Sequence, residues 1–404
     1  MDFALPPELA ATKRRVEAYV ADRLLPLEAE PASWGEGENI AWPLVEELRR
    51  EVQQMGLWAP QMPKARGGMG FGPVGMAVLY EAMGRSRFGP VCFNCAAPDD
   101  GNMYVLEKVG TAAQKDRWLQ PIVDGKVRSS IVMTEPHPGS GSDPAGMMKT
   151  HAEKRGDRYV VHGKKWYITG AEGAAHFILL ARTSNDPRRG LTAMLFHRDQ
   201  PGWRIDRRIP IMGPEEHGGH CELTFDGLEV PVENVLLGEG MGMRVTQIRL
   251  GLARLTHCMR WLGMAKRALE VCEPYVKERM AFGQKLADKE SVQGLLGEAA
   301  MRIDVGRLLT MRAAWLLEQG ERARPEVSMA KIQVADALHH AIDTAMQLMG
   351  GLGYAKDTPL EWMYRYARQA RLVDGASEVH RMVVAKSLLA EGSAMFRWGA
   401  EADR

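Results

Sequence analysis

The sequence predicts an α+β chain built as helices, then a sheet, then helices, and three observations predict it. Apolar residues recur at helical spacing from Pro6 to about Lys126. The period falls to two between about Val127 and Gly238, and helical spacing returns, in longer runs, from Met241 to about Leu389. The expected domains are an N-terminal α-helical domain over 1–127, a middle antiparallel β domain over 128–238 and a C-terminal α-helical domain over 239–404.

Each part has its own markers. The stretch from Met1 to Glu30 reads as a polar amphipathic helix without the apolar core of a signal peptide. Trp42, Val45, Leu48 and Val52 mark a helix, and so do Val78, Leu79, Ala82 and Met83, with the Gly67-Gly-Met-Gly70 loop between them. Thr111 and Gln114 have the spacing of a capping box, which predicts a helix start. Strands are expected at Arg158–His162, Phe177–Ala181, Thr192–Phe196 and Cys221–Phe225. In the last part, Ile248, Leu252 and Leu255 mark one helix. Leu295, Leu296, Ala299, Ile303 and Leu308 mark a second, and Met329, Ile332, Ala335 and Leu338 a third. The breaks fall at Gly320 to Pro325 and at Gly350-Gly-Leu-Gly353.

Composition bounds the function. Lys plus Arg number 52 and Asp plus Glu 51, a balance that gives no electrostatic footprint for nucleic acid or an anionic membrane. No apolar run approaches the roughly 20 residues that span a bilayer. A cytoplasmic location is expected, with an organelle matrix as the other option. Cys92 and Cys95 form a lone C-x-x-C without the second pair or the nearby histidines of a zinc site, so the five cysteines are expected as buried reduced thiols and no metal is expected.

Four segments carry candidate chemistry. Met133-Thr-Glu-Pro-His-Pro-Gly-Ser-Gly-Ser-Asp143 is rich in glycine and hydroxyls and offers N–H groups and short donors to a polar ligand. Gly163-Lys-Lys-Trp-Tyr-Ile-Thr-Gly-Ala171 places aromatic rings beside a threonine at a strand end, which suits a flat ring that needs one stacked face and one donor. Gln347-Leu-Met-Gly-Gly-Leu-Gly-Tyr354 and Arg371-Leu-Val-Asp-Gly-Ala-Ser-Glu-Val-His-Arg381 complete the set. Singly, each also reads as a turn, a cap or aromatic core.

In this order the segments resemble the acyl-CoA dehydrogenase family over essentially the whole chain. Gly110-Thr-Ala-Ala-Gln-Lys115, Asp226-Gly-Leu-Glu-Val-Pro231 and Arg279-x-x-Phe282-Gly, which begins 25 residues after Arg254, add to the match. The resemblance implies the family fold with a C-terminal four-helix bundle, FAD as cofactor, an acyl-CoA substrate, an electron-transfer flavoprotein as acceptor and a homotetramer built as a dimer of dimers. It places Met133, Thr134, Ser142, Tyr167 and Thr169 on the flavin, with Tyr167 where a Trp is usual and Ser142 also toward the CoA side. It places Arg279, Phe282, Gln347 and Gly351 on the FAD of a neighbouring subunit, and adds Ala376 and Glu378 to the cofactor set.

By the same resemblance, Asp374 stands where most members carry a catalytic Glu that takes the α proton while flavin N5 accepts the β hydride. The alternative base position of some members corresponds to Ala253, which cannot act as one. Arg254 is expected to support the substrate site, with a surface salt bridge as its other reading. Ala97-Pro-Asp-x-Gly-Asn-Met103 and Asp374-Gly-x-x-Glu-Val-His380 resemble a subfamily with Asp at the base, including mitochondrial enzymes fused to a phosphotransferase-like domain. In that light one of Asp99, Asp100 and Asn102 is expected to meet a polar group on the acyl chain, with hydroxylated, long or branched chains as options. Two other readings stand beside this one: a flavin oxidase similar to nitroalkane oxidases, and a catalytically silent relative that binds flavin or CoA.

Overall fold

A computed structural model describes residues 3–141, 143–187 and 189–396. The chain gathers into two compact units. One comprises Met1–Pro31, Phe71–Pro90 and Arg254–Arg404, and the other Ala32–Gly70 and Val91–Ala253.

The second unit is organised around a seven-stranded sheet. Its strands are β1 (Arg128–Val132), β2 (His151–Arg155), β3 (Arg158–Thr169), β4 (Ala174–Arg182), β5 (Leu191–His197), β6 (Trp203–Arg208) and β7 (His220–Pro231). The order is β1-β4-β2-β3-β7-β6, with β5 paired to β4. Four of its six pairings are antiparallel, but the sheet is not purely antiparallel as expected: β1 and β2 both run parallel to β4. A parallel neighbour needs a crossover, and the β2–β3 hairpin between β1 and β4 supplies the chain for it. The core face packs Val161, Phe177, Leu179, Phe196, Leu223 and Phe225, all essentially without solvent contact. Phe177 stacks on Phe196 with centroids 4.6 Å apart, and Trp203 closes edge-on at 5.0 Å from Phe177. The capping box is present here too: Gln114 N donates to Thr111 Oγ1 at 3.2 Å and Thr111 N donates to Gln114 Oε1 at 3.0 Å.

The first unit is helical. It contains α1 (Pro7–Tyr19), α2 (Pro73–Met83), most of α3 (Gly242–Glu278), α4 (Glu290–Glu318), α5 (Arg324–Met349), α6 (Leu360–Ala367) and α7 (Ser377–Glu391). α4 packs on α5, and α5 packs on α7. Gly306 lets α4 and α5 close up, since a Cβ there would meet Val334 Cγ2 at 3.0 Å. The four long helices α3, α4, α5 and α7 agree with the bundle that the resemblance implied. No described helix is long and apolar enough to cross a membrane. All five cysteines are free and buried.

Candidate active site

Strand ends in the second unit gather the first group of candidate residues. β1 stops at Val132, and Met133 and Thr134 continue it as unpaired chain, both half-buried. Two contacts tie this end to β3: Trp166 N donates to Thr134 O at 3.0 Å, and Ser130 Oγ donates to Thr169 O at 2.6 Å. Between Lys165 and Ile168 the β3–β7 register slips by one residue. A bulge of this kind re-aims a side chain, and the one it turns out is Tyr167, at φ +50° and 49% exposed. A tyrosine held in the left-handed region with half its ring open is strained backbone serving an outward-facing aromatic surface. Thr169 Oγ1 lies 3.1 Å from His220 Nδ1. Met133, Thr134, Tyr167 and Thr169 therefore lie on adjoining strand ends. Ser142 lies outside the described residues.

Lys165 holds this arrangement, and the sequence reading passed over it. It is fully buried, donates to Met133 O at 2.8 Å, and pairs with Glu135 Oε1 at 3.0 Å. Burial pushes the Lys165 ammonium down to about 8, against the opposing pull of Glu135. Glu135 is held below its usual range because Lys165 and the N–H groups of Lys149 and Thr150 outweigh its own burial. Its carboxylate also accepts from Ser140 N at 3.2 Å. The charge pair thus pins the loop that carries Met133 and Thr134. A lysine before two aromatics reads as a solvated strand residue in sequence, so only the Glu135 partner could have exposed it.

The first unit carries the second group, around Asp374. Asp374 has φ +52° and Gly375 has φ +101°. Asp and Asn tolerate the left-handed region better than other side chains, which gives a local reason for Asp at this position. The turn is held from three sides. Arg254 Nε donates to Asp374 O at 2.7 Å. Lys331 Nζ donates to Ala370 O at 2.6 Å and to Gly375 O at 3.1 Å. His380, one turn into α7, sits behind Gly375, where a Cβ would meet its Nε2 at 3.1 Å. Ala376 is the N-cap of α7. Arg254 thus donates to a backbone carbonyl of the Asp374 turn.

Two of these supports lead to expected results. Lys331 is fully buried and its ammonium is lowered chiefly by burial. Lys331→Met should leave two buried carbonyls without a charged donor and cost about 2–4 kcal/mol in denaturant unfolding. His380 is pushed down to about 4, first by burial and then by Arg254 and Lys331. A histidine depressed in the folded state leaves the unfolded chain binding more protons between about 4 and 6.5. Stability should therefore fall as pH drops from about 6.5 toward 4. His380→Gln should flatten that part of a Tm-versus-pH curve.

The remaining candidates lie elsewhere. Met280–Ala281 and Gln284–Lys285 form a two-stranded hairpin. Phe282 and Gly283 make its turn at φ +51° and +80°. Phe282 is 99% exposed, and Arg279, at the hairpin's base, is exposed as well. Gln347 and Gly351 are both exposed at the C-terminal end of α5, and a Cβ on Gly351 would meet nothing within 4 Å. Glu378 is exposed on α7, 3.5 Å from Arg381.

Asn102 lies in the second unit. It is fully buried: its amide donates to Ser129 Oγ at 3.0 Å, and its oxygen faces Arg249 Nε at 3.4 Å. Asp99 is likewise spent, accepting from Arg128 Nε at 2.8 Å and from Ser129 N at 2.6 Å. These groups satisfy one another inside the second unit. The spacing of polar residues on a helix shows which face they share, not whether that face is already occupied by partners.

Three family models match the chain: the N-terminal domain of acyl-CoA dehydrogenase over residues 6–126, the middle domain over 130–228 and the C-terminal domain over 240–389. Probable acyl-CoA dehydrogenase FadE2 of Mycobacterium tuberculosis is 35% identical, over 98% of this chain and 99% of its own length. Acyl-CoA dehydrogenase family member 11 of Gallus gallus is 36% identical over 92% of this chain, which spans only 49% of that relative. A solved structure of an acyl-CoA dehydrogenase family protein from Mycobacterium abscessus superposes with a TM-score of 0.89 at 33% identity. That match covers 96% of this chain and 100% of the other.

Proposed function

This chain belongs to the acyl-CoA dehydrogenase family and is an FAD-dependent oxidoreductase, and we propose that it desaturates an acyl-CoA thioester with Asp374 as the base. The observation that carries the assignment is the Asp374 turn. A carboxylate stands on a left-handed residue whose carbonyl, neighbours and following glycine are all fixed by buried or half-buried cations. Its side chain keeps 19% exposure. A base needs both a fixed position and access to its substrate.

The residues present fit the cofactor. Tyr167 offers an open aromatic face on a strained bulge, and the half-buried Thr134 and Thr169 offer hydroxyls at two adjoining strand ends. A flat heteroaromatic ring is bound by that combination of one stacking surface and a few short donors. When bound, FAD supplies the acceptor for the β hydride. Asp374 removes the α proton, the electron pair moving toward the thioester carbonyl. A carboxylate from which the substrate excludes water is a stronger base, which favours this transfer only once the acyl chain is seated. Arg254 and Lys331 hold the turn so that the carboxylate does not retreat as it gains the proton.

Further parts of the reading rest on the family resemblance together with exposure. A nearly bare phenylalanine at a hairpin tip needs cover, and Phe282 with Arg279 reaches the cofactor of a neighbouring subunit in a homotetramer. The acceptor of the electrons is an electron-transfer flavoprotein. The substrate class is tested by anaerobic titration of the purified protein with plain, branched and 4-hydroxylated acyl-CoAs. Bleaching of the flavin by at least one of them is expected. Bleaching by a nitroalkane and by no acyl-CoA would replace this reading with the oxidase.

A further inference from the structure

One turn of α3 approaches both ends of Asp374. Arg254 donates to its backbone carbonyl at 2.7 Å, and His257, three residues on, brings Nε2 to 3.4 Å from its Oδ2. Residues three apart share a helix face, so the two contacts come from one local piece of sequence. The imidazole is itself fixed. It stacks on Trp261 at 5.0 Å and 23°, and Nδ1 lies 3.3 Å from an Arg260 guanidinium nitrogen.

The chemistry of these neighbours settles the tautomer. A guanidinium has only donors, so Nδ1 of His257 accepts and the ring proton sits on Nε2, the nitrogen that approaches the Asp374 carboxylate. We propose that His257 is the positioning residue of the Asp374 carboxylate, a neutral N–H donor that fixes the plane in which the base meets the α proton. The inference rests on the reading of Asp374 as that base.

A physical need for such a donor exists. The terminal torsion of an aspartate is broad, so the backbone supports described above do not fix the carboxylate plane. At 3.4 Å the contact is an approach and not a formed hydrogen bond, and catalytic contacts are often long or poorly aligned until substrate is bound. Arg254, Arg260 and Lys331 bring positive charge to this neighbourhood, and Glu378 brings negative charge. A neutral donor adds orientation there without a further positive charge that would weaken the base.

The test uses the FAD-loaded protein and two substitutions, His257→Leu and His257→Gln. Rapid mixing with an acyl-CoA that bleaches the wild type gives the limiting rate of flavin reduction and the apparent Kd. His257→Leu is expected to lower the rate about 10–100-fold with Kd unchanged, and His257→Gln, which keeps a neutral N–H, to recover most of that loss. A second readout needs no turnover. Nitrogen NMR of histidine-labelled protein should show His257 protonated at Nε2 only, with its signal moved by Asp374→Asn. An unchanged rate in His257→Leu, equal losses in both variants, or a proton on Nδ1 would each overturn the proposal. If no acyl-CoA bleaches the wild type, the base assignment fails by itself, and the NMR arms still decide whether His257 and Asp374 form the pair.

Discussion

Asp374→Asn should retain FAD and bind acyl-CoA while losing roughly 10²–10⁴-fold in the rate of flavin reduction, the usual worth of a positioned general base. The substitution is nearly isosteric, and Asn shares the tolerance of Asp for the left-handed backbone seen at φ +52°. The contacts from Arg254 to the carbonyl and from Lys331 to Gly375 involve backbone oxygens, so both survive the change. A loss of rate with a preserved flavin spectrum and an unchanged melting temperature therefore isolates the proton-transfer role. Asp374→Glu makes a sharper companion. It keeps the charge but lengthens the side chain by one methylene, and a misplacement of about 1 Å costs roughly 100-fold. Stopped-flow reduction of both variants measures these effects.

Lys165→Met should have the largest effect on the fold. It strips the partner from a buried carboxylate, since Lys165 and Glu135 are both almost without solvent contact and lie 3.0 Å apart. Breaking such a pair from one side costs about 3–5 kcal/mol, because the remaining charge stays buried. The loss also frees the Met133 carbonyl that Lys165 holds at 2.8 Å. FAD affinity should therefore fall along with stability, as read by denaturant unfolding and by flavin release. Changing both partners, Lys165→Met with Glu135→Gln, should recover part of the stability. The amide then leaves no unpaired charge, although the backbone donors of Lys149 and Thr150 lose their ionised acceptor.

Much of the fold was legible because hydrophobic period and turn chemistry agreed along the chain. The Thr111–Gln114 cap is a case in which a local rule and the final geometry coincide. Strands escaped where alternation carried little apolar signal. His151–Arg155 buries only Ala152, and Trp203–Arg208 is charged at most positions, since each presents an outer face to water. The parallel placement of Arg128–Val132 beside Ala174–Arg182 is a long-range choice that no local pattern encodes.

The candidate site was legible where a motif names the residue and opaque where only packing does. Asp374, Thr169 and Tyr167 stood out through their motifs. Lys165, Lys331 and His257 did not, although they hold those residues in place. A lysine in a helix pattern usually reads as solvated surface, and only three-dimensional structure reveals that the Lys331 ammonium is spent on the carbonyls of Ala370 and Gly375. Asn102 is likewise held by Ser129 and Arg249, partners that the spacing of polar residues on its helix does not show.

The central claim, that Asp374 takes the α proton of an acyl-CoA, is tested most directly by proton exchange without net reaction. A 3-thia-acyl-CoA has sulfur in place of the β carbon, so the α proton can be removed and returned while no hydride can leave. Incubated with the FAD-loaded protein in deuterated water, it should acquire deuterium at the α carbon with the wild type and, under the same conditions, not with Asp374→Asn. Equal α-deuteration by both proteins would contradict the assignment and place the base on another residue.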